Sequence, residues 1–210
     1  MDCFVALLLA MTMEGDGKMN QKDLLDVDWS KIPAPVDDGA AAHLKDTKVP
    51  SIRLLATDGH SVDLSALPGR IVVFAYPRTG EPGKIALVDD WDMIPGARGC
   101  TPQTCAFRDL YTELRAAGAA RVFGLSTQGS RYQAEMASRL HLPFPVLSDE
   151  KLVLTRALNL PSMQVAGLTL IKRLALIVDD ARIAQVFYPV FPPDRNAGDV
   201  LAWLAQNPKA

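Results

Sequence analysis

Ile71-Val-Val-Phe-Ala-Tyr76 is an unbroken run of β-branched and aromatic residues, closed by Pro77. A strand with no polar face must be covered on both sides. The rest of the chain supplies the cover. Upstream, Ser51-Ile-Arg-Leu-Leu-Ala and Ser61-Val-Asp-Leu flank Thr57-Asp58-Gly59, a hairpin signal in which glycine takes the positive φ of the turn. Downstream, Ala106, Leu110 and Leu114 recur every four residues between polar Arg108, Asp109 and Glu113, which predicts an amphipathic helix over 105–115 ended by Gly118. Strand over 121–126, helix over 131–140, an extended piece at 144–148 and helix over 149–158 follow. β-rich runs at 169–178 and 183–190 flank Asp179-Asp-Ala-Arg, a hairpin signal, and a helix over 197–206 closes the chain. Alternating strands and helices make this an α/β chain, with a central sheet flanked by helices.

Pro33, Pro35, Asp37, Asp38 and Gly39 break regular structure ahead of that pattern and suit an extended lead-in. Residues 1–30 are expected to be a poorly ordered tail and 31–210 a single domain. The apolar run Phe4-Val-Ala-Leu-Leu-Leu-Ala-Met11 falls far short of the ~20 residues that span a membrane. Acidic Asp2 and the lack of a preceding Lys or Arg do not suit a secretory signal, so a cytoplasmic protein is expected. Lys and Arg number 22 against 24 Asp and Glu, and they are scattered. No basic stripe offers itself to nucleic acid.

Three cysteines are too few for a disulfide scaffold, so the close pair Cys100 and Cys105 is read as reactive or metal-binding. His43, His60 and His141 show no paired ligand spacing, and neither metal nor cofactor is expected. Cys100 falls near the start of the expected helix, where orphan N–H groups and the macrodipole favour thiolate. The dipole is worth about 0.3 to 1 kcal/mol, too little on its own to ionise a thiol at neutral pH, so a cation or further hydrogen bonds must contribute. Five helical steps leave the two side chains about 140° apart, whereas a disulfide needs Cα atoms within roughly 7 Å. Pairing the two would require the first turns to unwind, and Pro102 is expected to weaken that stretch unless it takes the first helical position.

Tyr76-Pro77 followed by Gly99-Cys-Thr-Pro-Gln-Thr-Cys-Ala-Phe-Arg-Asp109 resembles the active-site segment of the Q-type peroxiredoxins, the bacterioferritin-comigratory proteins. Phe123-Gly-Leu-Ser-Thr127, Leu147-Ser-Asp-Glu150 and Arg173-Leu-Ala-Leu-Ile-Val-Asp179 are similar to further segments in the same order, over most of residues 45–206. The resemblance implies a thioredoxin-like fold, a central mixed sheet flanked by helices. It implies reduction of hydrogen peroxide and organic hydroperoxides, with thioredoxin or a similar dithiol as electron donor, in a monomer or homodimer without nucleic-acid or membrane partners. Cys100 then matches the peroxidatic cysteine, which becomes a sulfenic acid, and Cys105 the resolving cysteine that closes an intramolecular disulfide. Arg173 matches the arginine flanking the thiolate, the cation the dipole estimate calls for.

The chain departs from that pattern before Cys100. The family places Pro seven and Thr three residues ahead of the cysteine; here those positions hold Met93 and Ala97. Pro77 stands 23 positions before Cys100, so an insertion, Arg78 to about Ile94, sits beside the site. Pro77 and Pro95 are candidates for the signature proline, and Thr79, Thr101 and Thr104 for the hydroxyl. Trp91 and Ile94 form either an apolar lid or an anchor for the inserted loop. Thr101-Pro-Gln-Thr-Cys105 also resembles a threonine-proline approach to cysteine, which would exchange the two thiol roles. Two other functions stay open: a non-enzymatic module binding a protein partner through the insertion, and a protein thiol–disulfide exchanger.

Overall fold

In a computed structural model, residues 27–209 are described. The strands among them are β1 (Arg53–Ala56), β2 (Ser61–Asp63), β3 (Arg70–Ala75), β4 (Ala119–Ser126), β5 (Val146–Ser148), β6 (Ser162–Val165), β7 (Leu168–Ile171), β8 (Leu174–Asp179) and β9 (Arg182–Phe187). The α-helices are α1 (Cys100–Asp109), α2 (Tyr111–Ala116), α3 (Ser130–Arg139), α4 (Val153–Ala157) and α5 (Asn196–Gln206). Seven strands make one mixed sheet in the order β2-β1-β5-β4-β3-β8-β9, and β6-β7 is a separate hairpin.

β3 is the apolar run that the sequence singles out, and every residue in it is buried. Parallel β4 lies on one side of it and antiparallel β8 on the other. Its side chains alternate between two cores, as the strand's period of two requires. Ile71, Val73 and Ala75 join Leu44, Leu154 and Leu158 on one face, whereas Val72, Phe74 and Tyr76 join Phe107, Leu114, Met136 and Leu204 on the other. Helices therefore cover both faces, and α1, α2, α3 and α5 share the second.

Three expectations are revised, and a fourth falls mostly outside the described residues. The helix expected over 105–115 begins at Cys100 and breaks at Leu110, whose ψ of 13° ends α1 before α2 starts. Its first turn was invisible to apolar periodicity because its buried residues include Thr101, Gln103 and Thr104. The helix expected over 149–158 shrinks to α4. Asp149 stands ahead of it, its carboxylate accepting from the N–H groups of Val153, Leu154 and Thr155 at 2.7, 3.1 and 2.7 Å, while Leu152 interrupts the chain at φ 56°. The run at 169–178 divides, because β7 pairs with β6 whereas β8 enters the main sheet. Finally, the tail expected over 1–30 lies outside the described residues up to position 26, and Trp29–Lys31 forms a 3-10 turn whose Trp29 ring meets Phe191 edge-on at 6.0 Å. Among the described residues, no helix is long and apolar enough to cross a membrane.

Candidate active site

α1 begins at Cys100 because Gly99 precedes it at φ 100°, a conformation glycine adopts without strain. A Cβ at Gly99 would lie 2.6 Å from Pro193 Cγ and 2.7 Å from the Trp29 ring, so close packing excludes a side chain as well. Pro102 is the third helical residue. Its missing N–H is one of the four that have no partner in a first turn, so Pro102 does not weaken α1 in the way expected. The Thr104 hydroxyl donates to the Cys100 carbonyl at 2.8 Å and stitches that turn together.

Sheet register delivers Arg173. Leu174 pairs with Ala75, so Arg173, in the break between β7 and β8, lies beside the point where β3 hands over to the loop leading to Cys100. Its Nη2 donates to Cys100 Sγ at 3.3 Å and to the carbonyls of Gly96, Ala97 and Arg98 at 3.2, 3.2 and 2.9 Å. Its Nη1 donates to Gln103 Oε1 at 2.5 Å and approaches the Gly99 carbonyl at 3.4 Å. A buried guanidinium fixed by five backbone and side-chain oxygens cannot swing away, and it stabilises negative charge on the adjoining sulfur. Arg173 Nε has no hydrogen-bond partner, which leaves one buried donor unspent.

Cys100 and Cys105 are both buried thiols on intact helix. By ideal geometry their Cα atoms stand about 8.7 Å apart, beyond disulfide range. Cys100 also borders a cavity of about 480 Å³, walled by Thr79, Thr101, Pro102, Tyr132, Trp91 and inserted residues including Lys84 and Leu87. Trp91 is buried with Ala97, Val165 and Leu170, and Ile94 packs on the same cluster, so the pair anchors the insertion to the β6–β7 hairpin. Trp91 contributes one wall of the cavity besides.

The candidate hydroxyls separate. Thr104 is spent on the Cys100 carbonyl. Thr79 and Thr101 both border the cavity, and Thr79 is fixed there, with its N–H and Oγ donating to Gln128 Oε1 at 2.8 and 3.1 Å. Tyr76 donates to Gln133 Oε1 at 2.9 Å. Burial, and after it the charge of a Cys100 thiolate, pushes its hydroxyl well above the ordinary tyrosine range, so Tyr76 remains a donor at alkaline pH.

Sequence reasoning missed Gln103 and Asn196. Gln103 is fully buried and joins Arg173 to Asn196, donating to Asn196 Oδ1 at 2.9 Å. Its position three residues after Cys100, on the same side of a helix, was a usable signal. Asn196 carried none, lying 93 residues away in sequence.

A family model described as Redoxin matches residues 44–201. Peroxiredoxin Q, chloroplastic, of Oryza sativa subsp. japonica is 32% identical over 162 residues, 76% of this chain and 66% of that protein. The chain thus spans just under two thirds of that relative. Peroxiredoxin Q, chloroplastic, of Sedum lineare is 32% identical over 162 residues, 76% of this chain and 77% of that protein. Among solved structures, peroxidoxin BcpB from Mycobacterium tuberculosis superposes with a TM-score of 0.64 at 27% identity, covering 80% of this chain and all of that one. The mixed seven-stranded sheet flanked by helices is the thioredoxin-like fold of these proteins.

Proposed function

This chain belongs to the redoxin family, within its peroxiredoxin Q group, and from that premise we propose that it reduces hydroperoxides through Cys100. The observation that carries the reading is the Arg173 guanidinium 3.3 Å from Cys100 Sγ, at a helix start that borders a cavity. The Cys100 thiolate attacks the distal peroxide oxygen. The O–O bond breaks, sulfur is oxidised to a sulfenic acid, and the other oxygen leaves as water or alcohol after taking up a proton. Arg173 stabilises the thiolate, and the Thr79 hydroxyl oxygen, whose own proton goes to Gln128, is assigned to accepting from the peroxide in the cavity.

Cys105 resolves the sulfenic acid. Its sulfur attacks Cys100 Sγ, water departs, and a disulfide forms once the first turn of α1 unwinds. Thioredoxin or a similar dithiol returns the pair to thiols. The catalytic unit is assigned to one domain over 31–210, acting as monomer or homodimer in the cytoplasm, where a reducing environment lets such a pair cycle.

The test is stoichiometric hydrogen peroxide on the reduced protein, read by mass spectrometry of the tryptic fragment 99–108, which holds both thiols. Loss of two hydrogens within seconds is expected, with reversal by thioredoxin. Cys105→Ser should stop at a sulfenic acid on Cys100, and Cys100→Ser should not react. A fragment left unoxidised over minutes sinks the reading, and a sulfenic acid on Cys105 exchanges the two roles.

A further inference from the structure

The loop over 96–100 is held from two sides. On one side Arg173 takes the carbonyls of Gly96, Ala97 and Arg98. On the other lies the lead-in, residues 29–38, which precedes the part of the chain matched by the family model, residues 44–201. This second support lies ahead of the residues that the family model matches.

The lead-in touches the loop and its surroundings at three points. The Trp29 ring sits on Gly99, close enough that no Cβ fits between them. Pro35 faces Gly96, at 3.7 Å from where its Cβ would stand. Asp38 accepts from Lys172 Nζ at 2.6 Å and Tyr188 Oη at 2.7 Å, next to Arg173. Trp29 is itself fastened, its Nε1–H donating to Asp194 Oδ2 at 3.1 Å and its ring lying edge-on to Phe191. The lead-in therefore crosses the loop with one end tied to Asp194 and Phe191 and the other to Lys172 and Tyr188.

We infer that residues 29–38 are a strap on the wound form of α1, and that Trp29 is a positioning residue setting how readily the first turn yields to the Cys100–Cys105 disulfide. The inference rests on reading those two cysteines as a disulfide-forming pair. Closing the disulfide draws Cys100 along the helix toward Cys105, and Gly99 must follow because it is the next residue in the chain. Trp29 and Pro193 grip Gly99 where it stands. Contacts made only in the dithiol form stabilise that form relative to the disulfide. They also keep a sulfenic acid at Cys100 waiting longer for Cys105, exposing it to a second peroxide and oxidation to sulfinic acid.

The experiment uses the full chain and Trp29→Ala in mixtures of oxidised and reduced dithiothreitol. The dithiol gives two electrons and two protons to oxidised dithiothreitol, and the disulfide fraction is read on fragment 99–108 after acid quench. Loss of this half-buried aromatic contact should move the equilibrium toward the disulfide by about tenfold. With peroxide, sulfenic acid formation should stay within about twofold, while disulfide closure quickens and the sulfinic fraction at excess peroxide falls. An unchanged dithiothreitol equilibrium overturns the strap, whether or not the melting temperature drops. Should Trp29→Ala fail to fold, Trp29→Phe keeps a ring and loses the bond to Asp194. It should shift the same equilibrium in the same direction by about two- to threefold, and no shift overturns the strap. A wild-type chain that exchanges with dithiothreitol but ignores peroxide refutes the peroxidase while the exchange result still decides the strap.

Discussion

The two halves of α1 are held by different forces. Around its first turn, Cys100, Gln103 and Thr104 are buried against Arg173, Asn196 and backbone carbonyls. In its second half, Phe107 stacks on Phe74 with ring centroids 4.1 Å apart and planes within 5°, and Cys105 belongs to the same apolar cluster. Polar contacts depend on the charge and direction of each group, so converting a thiolate to a neutral sulfenic acid changes them. Apolar contacts are indifferent to that change. Oxidation at Cys100 can therefore loosen the first turn while the second half keeps Cys105 in place, which is the division of labour an intramolecular disulfide across one helix needs.

Removing the polar anchor should have the largest effect on chemistry. Arg173→Ala takes away the cation at Cys100 Sγ and the donor that the carbonyls of Gly96, Ala97 and Arg98 and the Gln103 side-chain oxygen share. Loss of a preorganised electrostatic partner typically costs 10² to 10³ in rate, and about that drop is expected in the single-turnover formation of sulfenic acid. Arg173→Lys should recover part of it, since a point charge cannot reproduce the two-pronged hold. A rate for Arg173→Ala within threefold of wild type would break the contrast at its polar end.

The apolar end should answer the other way. Phe107→Ala removes a fully buried ring stacked on the central strand. A loss of about 3–5 kcal/mol is expected, a fall in melting temperature of about 6–20 °C for a domain of this size. Below that melting point, sulfenic acid formation should change by less than about threefold, because no contact to Cys100 Sγ is touched. A peroxide rate that collapses along with stability would show that the two halves act as one.

The same contrast explains how much could be read from the chain. β3, the β1–β2 hairpin, β4, α3, the β8–β9 hairpin and α5 all announce themselves through local periodicity, which apolar packing enforces. The first turn of α1 does not, because Thr101, Gln103 and Thr104 are polar residues buried by partners up to 93 positions away. Cys100 and Arg173 were reachable through resemblance, and Gln103 through its spacing from Cys100. Trp29 was unreachable, since nothing near it in sequence says that its ring will land on Gly99. Asp149 was taken into a helix that it caps from outside, and Arg173 into a strand that breaks at that residue. Polar residues whose partners are distant are where local pattern gives out.

The smallest effect belongs to the far end of the strap and depends on pH. The Lys172 ammonium, then the Tyr188 hydroxyl, hold the Asp38 carboxyl below the ordinary aspartate range. A carboxyl depressed in the folded state contributes stability that is present above its unfolded value near 4 and is lost as pH falls through the folded value. Tyr188, raised by burial and by its bond to Asp38, with Asp37 adding to the negative charge nearby, keeps its proton. The lowered Asp38 carboxyl is what couples this contact to acid pH. Asp38→Asn should raise hydrogen exchange over residues 96–100 at neutral pH by less than about fivefold, the range of an exposed ion pair. Acidification below about pH 4 should narrow that gap, which closes only once pH falls through the depressed folded value of Asp38. Equal exchange in the two chains at neutral pH would place the hold on the loop at Trp29 and Pro35 alone and remove Asp38 from the strap.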